Sequence, residues 1–454
     1  MTRRLFGFAR VALVVWASPL RSQTLEGVWR TEGYGNVFEV HGTSLQMYEV
    51  TATTCIRTSA LTRESAGPPG AVASFKAPDD PDGLVVLPDR APNRMRFHNV
   101  GAASDIVAVR QPALPTSCSQ PVPNTPESNF DVFARTWTEQ YGFFGVRGVN
   151  WQNIVDANRP KVGAATTPTE LFEIFRGMVE PLEDAHTGVA ARAIGQGFGG
   201  FRDRAHQLAA PDRQRALELV EKKYLIGPIR SWCRDQVQFG MLADSIGYLR
   251  IKSFGRYTEA RGFENGLMAL EAAMDTIFAN AAGLRGIVID VRLNNGGADP
   301  YGLAIAARLT SAEYTAYAKQ ARFDPADQNS WTPLQPNVVR PSARAGFKGP
   351  IVELIGLHTV SAGETFTQAL MKRSPKVVRI GENTQGVFSD VLGRHLPNAW
   401  VFRLPNERFV TDGKAYDGPG IPPDIRVPVF PKSDLDSAQD GALVRAVQLL
   451  KTNR

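Results

Sequence analysis

The run Leu284–Val291 (LRGIVIDV) constrains the fold of this chain more than any other stretch. A continuous apolar segment of strand length is what a strand buried on both faces requires. Such strands belong to parallel sheets covered by helices. The run passes into Asn294-Asn295-Gly296-Gly297, and Pro300–Leu309 then reads as a helix. Ile246–Ile251 precedes it as a strand, followed by a long helical pattern over Thr258–Ala281. After it come a strand at Pro350–Leu357, a helix at Ser361–Met371 and a strand at Lys376–Ile380. This alternation predicts an α/β core with a largely parallel sheet.

The first quarter reads differently. Asn36–Val40, Ser44–Val50, Arg94–Val100 and Asp105–Arg110 alternate apolar and polar residues between clusters of Gly, Pro and Asp, which predicts a β-rich domain over residues 24–121. Gly27-Val28-Trp29 resembles the Gly-x-Trp that opens small lipocalin-like barrels, and equally suits a Trp at the base of any β core. Leu114–Ser128 is rich in Pro and Ser and reads as a linker. Phe130, Phe133, Trp137 and Tyr141 recur at three- and four-residue steps, placing them on one helical face. Thr167-Pro168-Thr169-Glu170 is a capping box with Pro at the first helical position, ahead of the apolar helix Leu171–Leu182. Residues 122–243 are therefore expected to form a helical subdomain, and 244–454 the α/β core.

Composition narrows the function classes. With 43% apolar and 21% charged residues over 454 positions, the chain is globular and long enough for two or three domains. Four of the charges behind the net +6 are Arg3, Arg4, Arg10 and Arg21, in a segment without acids, leaving +2 for the rest. No basic cluster of the kind that binds nucleic acid is present. Residues 1–23 have a basic start, a short apolar stretch at Val11–Ala17 and small or polar residues after it. That is the layout of a signal peptide, and it predicts export to a periplasmic or extracellular space. A buried first helix is the competing reading. No internal apolar run is long enough for an integral membrane span. Cys55 and Cys118 are placed to bridge, with Cys233 left over. The absence of a CxxC pair and the scattering of the six His give no basis for a metal site or other cofactor.

Three turns at strand ends carry the candidate chemistry. Gly296-Gly297 bares main-chain N–H groups at the start of a helix, where negative charge is favoured. Ser361, in His358-Thr359-Val360-Ser361-Ala362-Gly363-Glu364, stands where strand meets helix and suits either an N-cap or a nucleophile. Gly381–Gly386 and Asp417–Asp424 are the third pair of turns. Each taken alone also fits an ordinary turn. The Gly-x-Ser-x-Gly spacing of α/β-hydrolase elbows is missing.

In order, these segments resemble the S41 peptidase family, which includes C-terminal processing proteases, the tricorn core and interphotoreceptor retinoid-binding modules. Asp290-Val291-Arg292-Leu293-Asn294-Asn295-Gly296-Gly297 resembles its oxyanion loop and Ser361-Ala362-Gly363-Glu364 its nucleophile turn. Ile246–Ile251 resembles its entry strand, and Gly420-Ile421-Pro422-Pro423-Asp424 its closing turn. The resemblance covers about residues 129–454. It implies a crotonase/Clp-like spiral βαβ core, with no cofactor and a peptide or protein as substrate.

Processing proteases of the family place a Lys in a Gly-Glu-x-Thr-x-Gly-Lys-Gly run, where this chain has Gln385-Gly386-Val387-Phe388. Lys372 and Lys376 fall too early. The tricorn-like branch uses a His in a Leu-x-Asp-x-His context, matched by Leu182-Glu183-Asp184-Ala185-His186, and no PDZ insert is recognisable between His186 and Ile246. The resemblance thus implies Ser361 as nucleophile and His186 as base, with Gly296 or Gly297 and Ala362 as oxyanion donors. Asp417 takes the place of the orienting acid, with Glu382 or Asp184 as alternatives. Ala185 stands where tricorn-type sites carry a relay Ser, and His358 is a second His near Ser361. The expected function is an exported serine peptidase. The rival readings are a silent module binding an apolar ligand or peptide, and an esterase or amidase using the same Ser.

Overall fold

The computed structural model describes residues 24–203 and 206–452; the predicted signal segment, 1–23, lies outside them. Eight antiparallel strands run in order around a closed barrel: β1 (Gly27–Thr31), β2 (Asn36–His41), β3 (Ser44–Val50), β4 (Cys55–Arg63), β5 (Ala73–Lys76), β6 (Leu84–Pro88), β7 (Arg94–Asn99) and β8 (Ile106–Gln111). Closure through β1–β8 pairing leaves no free edge. Trp29, Phe38, Phe75, Met95 and Phe97 fill the interior. Trp29 donates its indole N–H to Leu25 O, and the Arg110 guanidinium lies over its ring. Cys55, at the start of β4, is joined to Cys118 by a disulfide that ties the barrel to the next segment.

The helices α1 (Pro126–Gln140), α2 (Phe144–Arg147), α3 (Trp151–Asn158) and α4 (Pro168–Val179) come next. Both arms of the capping box at Thr167 and Glu170 are made. Phe130, Phe133, Trp137 and Tyr141 are all buried, packed with Trp151, Phe175 and Phe402. Phe402 arrives from far along the chain, so this helical core is shared with the C-terminal half. Strands β9 (Gly188–Ala191) and β10 (Gln196–Gly199) and helix α5 (Ala210–Leu219) lead into the central sheet.

That sheet begins with β11 (Arg230–Trp232), β12 (Val237–Leu242) and β13 (Ile246–Ile251), then α6 (Phe263–Phe278), β14 (Gly286–Asp290) and α7 (Asp299–Leu309). After β15 (Tyr314–Ala321) and β16 (Gln335–Val339), the chain returns through β17 (Ile351–Ile355), α8 (Ala362–Leu370) and β18 (Val378–Gly381). The strands β19 (Val391–His395), β20 (Val401–Pro405), β21 (Glu407–Thr411), β22 (Lys414–Ala415) and β23 (Ile425–Arg426) precede α9 (Lys432–Asp436) and α10 (Gly441–Thr452). The central order is β11-β12-β13-β14-β17-β18-β23, parallel from β13 onward.

Alternate residues explain why both faces are covered. Leu249, Ile251, Ile287, Ile289 and Ile351 meet α6, α7 and α8, while Tyr248, Val288, Val352 and Leu354 meet α10. Two further antiparallel sheets, β10-β9-β20-β19 and β16-β15-β21-β22, flank this core. The barrel is fastened to it by Tyr34, which donates to Glu407 Oε1 at 2.6 Å, and by Phe263 N–H on Asp82 Oδ1 at 2.6 Å. The fold is α/β with a small N-terminal β barrel. No helix among the described residues is long and apolar enough to cross a membrane.

Because β14, β17 and β18 run parallel, the turns after them gather at one end of the sheet. Ligands of open α/β sheets bind at such carboxyl ends.

Candidate active site

Ser361 comes after β17 and opens α8 with φ 57° and ψ −124°. A side chain rarely adopts that backbone, and strain of this kind persists only when neighbours enforce it. They do so here. Thr359 Oγ1 donates to Val291 O at 2.8 Å, tying the turn to the end of β14. The Ser361 N–H donates to Val387 O at 3.1 Å. Every residue of α8 is buried, whereas Ser361 keeps partial exposure.

Glu364, fully buried one turn into α8, braces the same turn. Its carboxylate accepts from Gly386 N at 2.7 Å, Val387 N at 2.8 Å and Ser361 N at 3.3 Å. Burial pushes this carboxyl up to about 7 against those hydrogen bonds.

The glycine loop after β14 approaches the serine closely. A Cβ on Gly296 would sit 2.6 Å from Ser361 Cβ, and one on Gly297 1.9 Å from Phe254 O, so both positions admit only glycine. Both have positive φ, 76° and 142°. The Gly296 N–H is committed to Asn294 Oδ1 at 2.8 Å. Asn294 is itself fixed by donating to Ile251 O at 2.9 Å. The N–H groups of Gly297 and Ala362 have no partner among the described residues.

His186 lies on the turn between α4 and β9. Glu183 has φ 47°, and the Asp184 carboxylate accepts His186 N–H at 2.9 Å, closing the turn. Immediately after it, β9 is held by its antiparallel pairing with β20, Gly188 opposite Arg403. His186 is 8% exposed, and its Nδ1 is buried with no partner among the described residues. Burial lowers its pKa; the charges of Asp184 and Asp390 and the Ser389 backbone work in the opposite direction.

Asp417 is 6% exposed, with Oδ2 unpartnered among the described residues. Burial raises its pKa well above the usual carboxylate range, and the nearby charges of Glu364 and Asp184 add to the rise. Among the described residues no hydrogen bond joins His186 to Ser361 or to Asp417.

The profile of peptidase family S41 matches residues 245–427, and that of the tricorn protease C1 domain matches residues 123–180. Residues 245–427 thus carry a peptidase family S41 core. A candidate peptidase from Parabacteroides merdae is 25% identical, with TM-score 0.60 over 73% of this chain and 98% of that one. Mature CPAF complexed with lactacystin has the same fold at 11% identity, with TM-score 0.51 over 72% of this chain and 98% of that chain. No curated protein matches in sequence. The activity class of this S41 core is peptidase, a hydrolase.

The residues weighed around this S41 core fall into distinct places. Lys372 pairs with Asp412 and Lys376 with Asp424, both in exposed ion pairs. Val387 stands where processing proteases carry Lys, its N–H and carbonyl engaged with Glu364 and Ser361. His358 accepts Leu208 N–H at Nε2, 2.9 Å away, and burial pushes it down to about 4; it is a neutral brace for that loop. Glu382 accepts Val429 N–H at 3.1 Å. The sequence reading did not single out Arg147, whose side chain pairs with Asp184, or Asp390, whose charge reaches His186. Neither stands in a recognisable motif.

Proposed function

We propose that this chain is an exported serine peptidase that cleaves peptide bonds through an acyl-enzyme on Ser361, with His186 as general base. The observation that supports it most is the junction of Ser361 with the glycine loop. A strained serine at a helix start faces a loop that tolerates no side chain, and the N–H groups of Gly297 and Ala362 are left free beside it. These are the two donors an oxyanion requires, and Asn294 removes Gly296 from that role.

In the reaction, the Ser361 hydroxyl attacks the scissile carbonyl while His186 accepts its proton, giving a tetrahedral oxyanion on Gly297 and Ala362 N–H. A donor of this kind lowers the barrier by roughly 2.7–4 kcal/mol. The imidazolium then protonates the leaving amine, and water repeats the sequence on the acyl-enzyme. Asp184 supplies the negative charge that steadies the imidazolium, and the buried Asp417, which feels the Asp184 charge, is the second acid of the site. Burial keeps His186 neutral and able to accept the proton.

The Cys55–Cys118 disulfide supports export, since such bonds persist in oxidising compartments. The rival reading, a silent module that binds an apolar peptide, draws on Ala185 and on the lack of a hydrogen bond between His186 and Ser361. Catalytic hydrogen bonds are often long without substrate, so the missing bond does not count against the enzyme. Digestion of a chemically unfolded protein separates the two. Wild type is expected to generate new chain termini by mass spectrometry, and Ser361→Ala and His186→Ala none. Equal digestion by Ser361→Ala would refute the assignment.

A further inference from the structure

We infer that Arg147 is a positioning residue for this hydrolysis, locking the turn that carries His186 onto the loop that braces Ser361. The inference rests on the Ser361–His186 reading above. Arg147 ends the single turn α2, stopped by Gly148 at φ 65°. An Arg on so short an exposed element ordinarily points to solvent. Here its side chain is only 6% exposed.

The guanidinium reaches three pieces of the site. Nη2 lies 3.2 Å from Asp184 Oδ2 and donates to Gly386 O at 3.0 Å, and Nη1 reaches Glu183 O at 3.4 Å. The Tyr141 hydroxyl donates to the same Asp184 oxygen at 3.0 Å. The other Asp184 oxygen holds the His186 N–H. Gly386 is in turn the residue whose N–H is held by Glu364. Its carbonyl also accepts Gly418 N–H, beside Asp417.

One planar fork therefore spans the base turn and the brace of the nucleophile, and sits against the acid turn. Lysine cannot copy this, because a point charge lacks the fork. A misplacement of about 1 Å between reacting groups can cost roughly a hundredfold in rate. The guanidinium is buried and held by Asp184, Gly386 and Glu183, so it acts through the turns that carry His186 and Gly386.

The test uses the full chain with Arg147→Lys and Arg147→Ala, measuring kcat and KM on one peptide substrate with and without millimolar guanidinium. We expect Arg147→Lys to lose about tenfold or more in kcat with KM within about twofold of wild type. Arg147→Ala is expected to lose more and to recover at least part of it with guanidinium. A kcat for Arg147→Lys within about twofold of wild type overturns the inference, and so does a folded Arg147→Ala that guanidinium leaves unchanged. Should the alanine variant not fold, the lysine variant alone decides. If wild type itself cleaves nothing, the Ser361–His186 reading falls and the inference with it; an active wild type with indifferent Arg147 variants sinks the inference alone.

Discussion

Replacing Glu364 with alanine removes the carboxylate that holds the N–H groups of Gly386, Val387 and Ser361 in a fully buried site. The Ser361 N–H keeps Val387 O as an acceptor, whereas the Gly386 and Val387 N–H groups lose theirs. Each buried donor left without a partner costs roughly 1–3 kcal/mol, so two together cost at least about 2 kcal/mol. For a domain of roughly 150–250 residues that corresponds to about 4 °C or more in Tm. The catalytic loss is expected to be larger than the stability loss suggests. Those three N–H groups fix the backbone of Ser361, and misplacing an oxyanion donor costs roughly 100–1,000-fold. Glutamine is expected to fall between, because one of its two ends would present an N–H to a main-chain N–H. The carboxyl also leaves a pH signature. Its folded-state pKa is raised to about 7, so it contributes stability at low pH that is lost as pH climbs from the usual carboxylate range to about 7. Glu364→Ala should lose that component. The assays are a thermal melt across pH 5–8 and the rate of Ser361 modification by an active-site phosphonylating reagent. A Glu364→Ala variant that melts within about 1 °C of wild type and reacts within about threefold of its rate would refute the reasoning.

The same geometry sets three further outcomes. The pH profile of kcat/KM is expected to lose its acid limb below the ordinary histidine range, since burial lowers the His186 pKa and the neutral base survives to lower pH; a limb above pH 7 would contradict this. Reducing the Cys55–Cys118 bond, which closes 63 residues, should destabilise the barrel region by about 4 kcal/mol on the chain-entropy estimate, read as a shifted first transition in calorimetry, with an unchanged trace as the contrary result. Lys372→Ala and Lys376→Ala should leave kcat within about twofold of wild type, because both ammonium groups sit in exposed pairs of little energetic weight; a hundredfold loss in either would return lysine to the role of base.

The parallel core was legible because strands buried on both faces leave an unmistakable trace. Gly286–Asp290 and Ile351–Ile355 are buried at every position. The helix over Thr258–Ala281 proved shorter, starting at Phe263, since Gly262 sits at φ 109° and the preceding residues form an irregular turn. Strands such as Tyr314–Ala321 escaped notice. Lys319 within it breaks the apolar pattern, yet it is buried between Asp390 and Glu407, partners 71 and 88 residues away. Pairing at that distance leaves no periodic signal. The same holds for Arg292, visible in its motif but held by Asp440 near the other end of the chain. Within the candidate site, the glycine pair and Ser361 were readable from local turn chemistry. That Gly296 rather than Gly297 is occupied by Asn294 was not, because it depends on a side chain held by Ile251 of another strand.

The most direct test of the central claim is covalent labelling with a fluorophosphonate probe of wild type, Ser361→Ala and His186→Ala. The account predicts one adduct on wild type, mapped to Ser361, and none on either variant. An unlabelled but folded wild type would contradict an activated serine altogether, and labelling that survives His186→Ala would contradict His186 as its base.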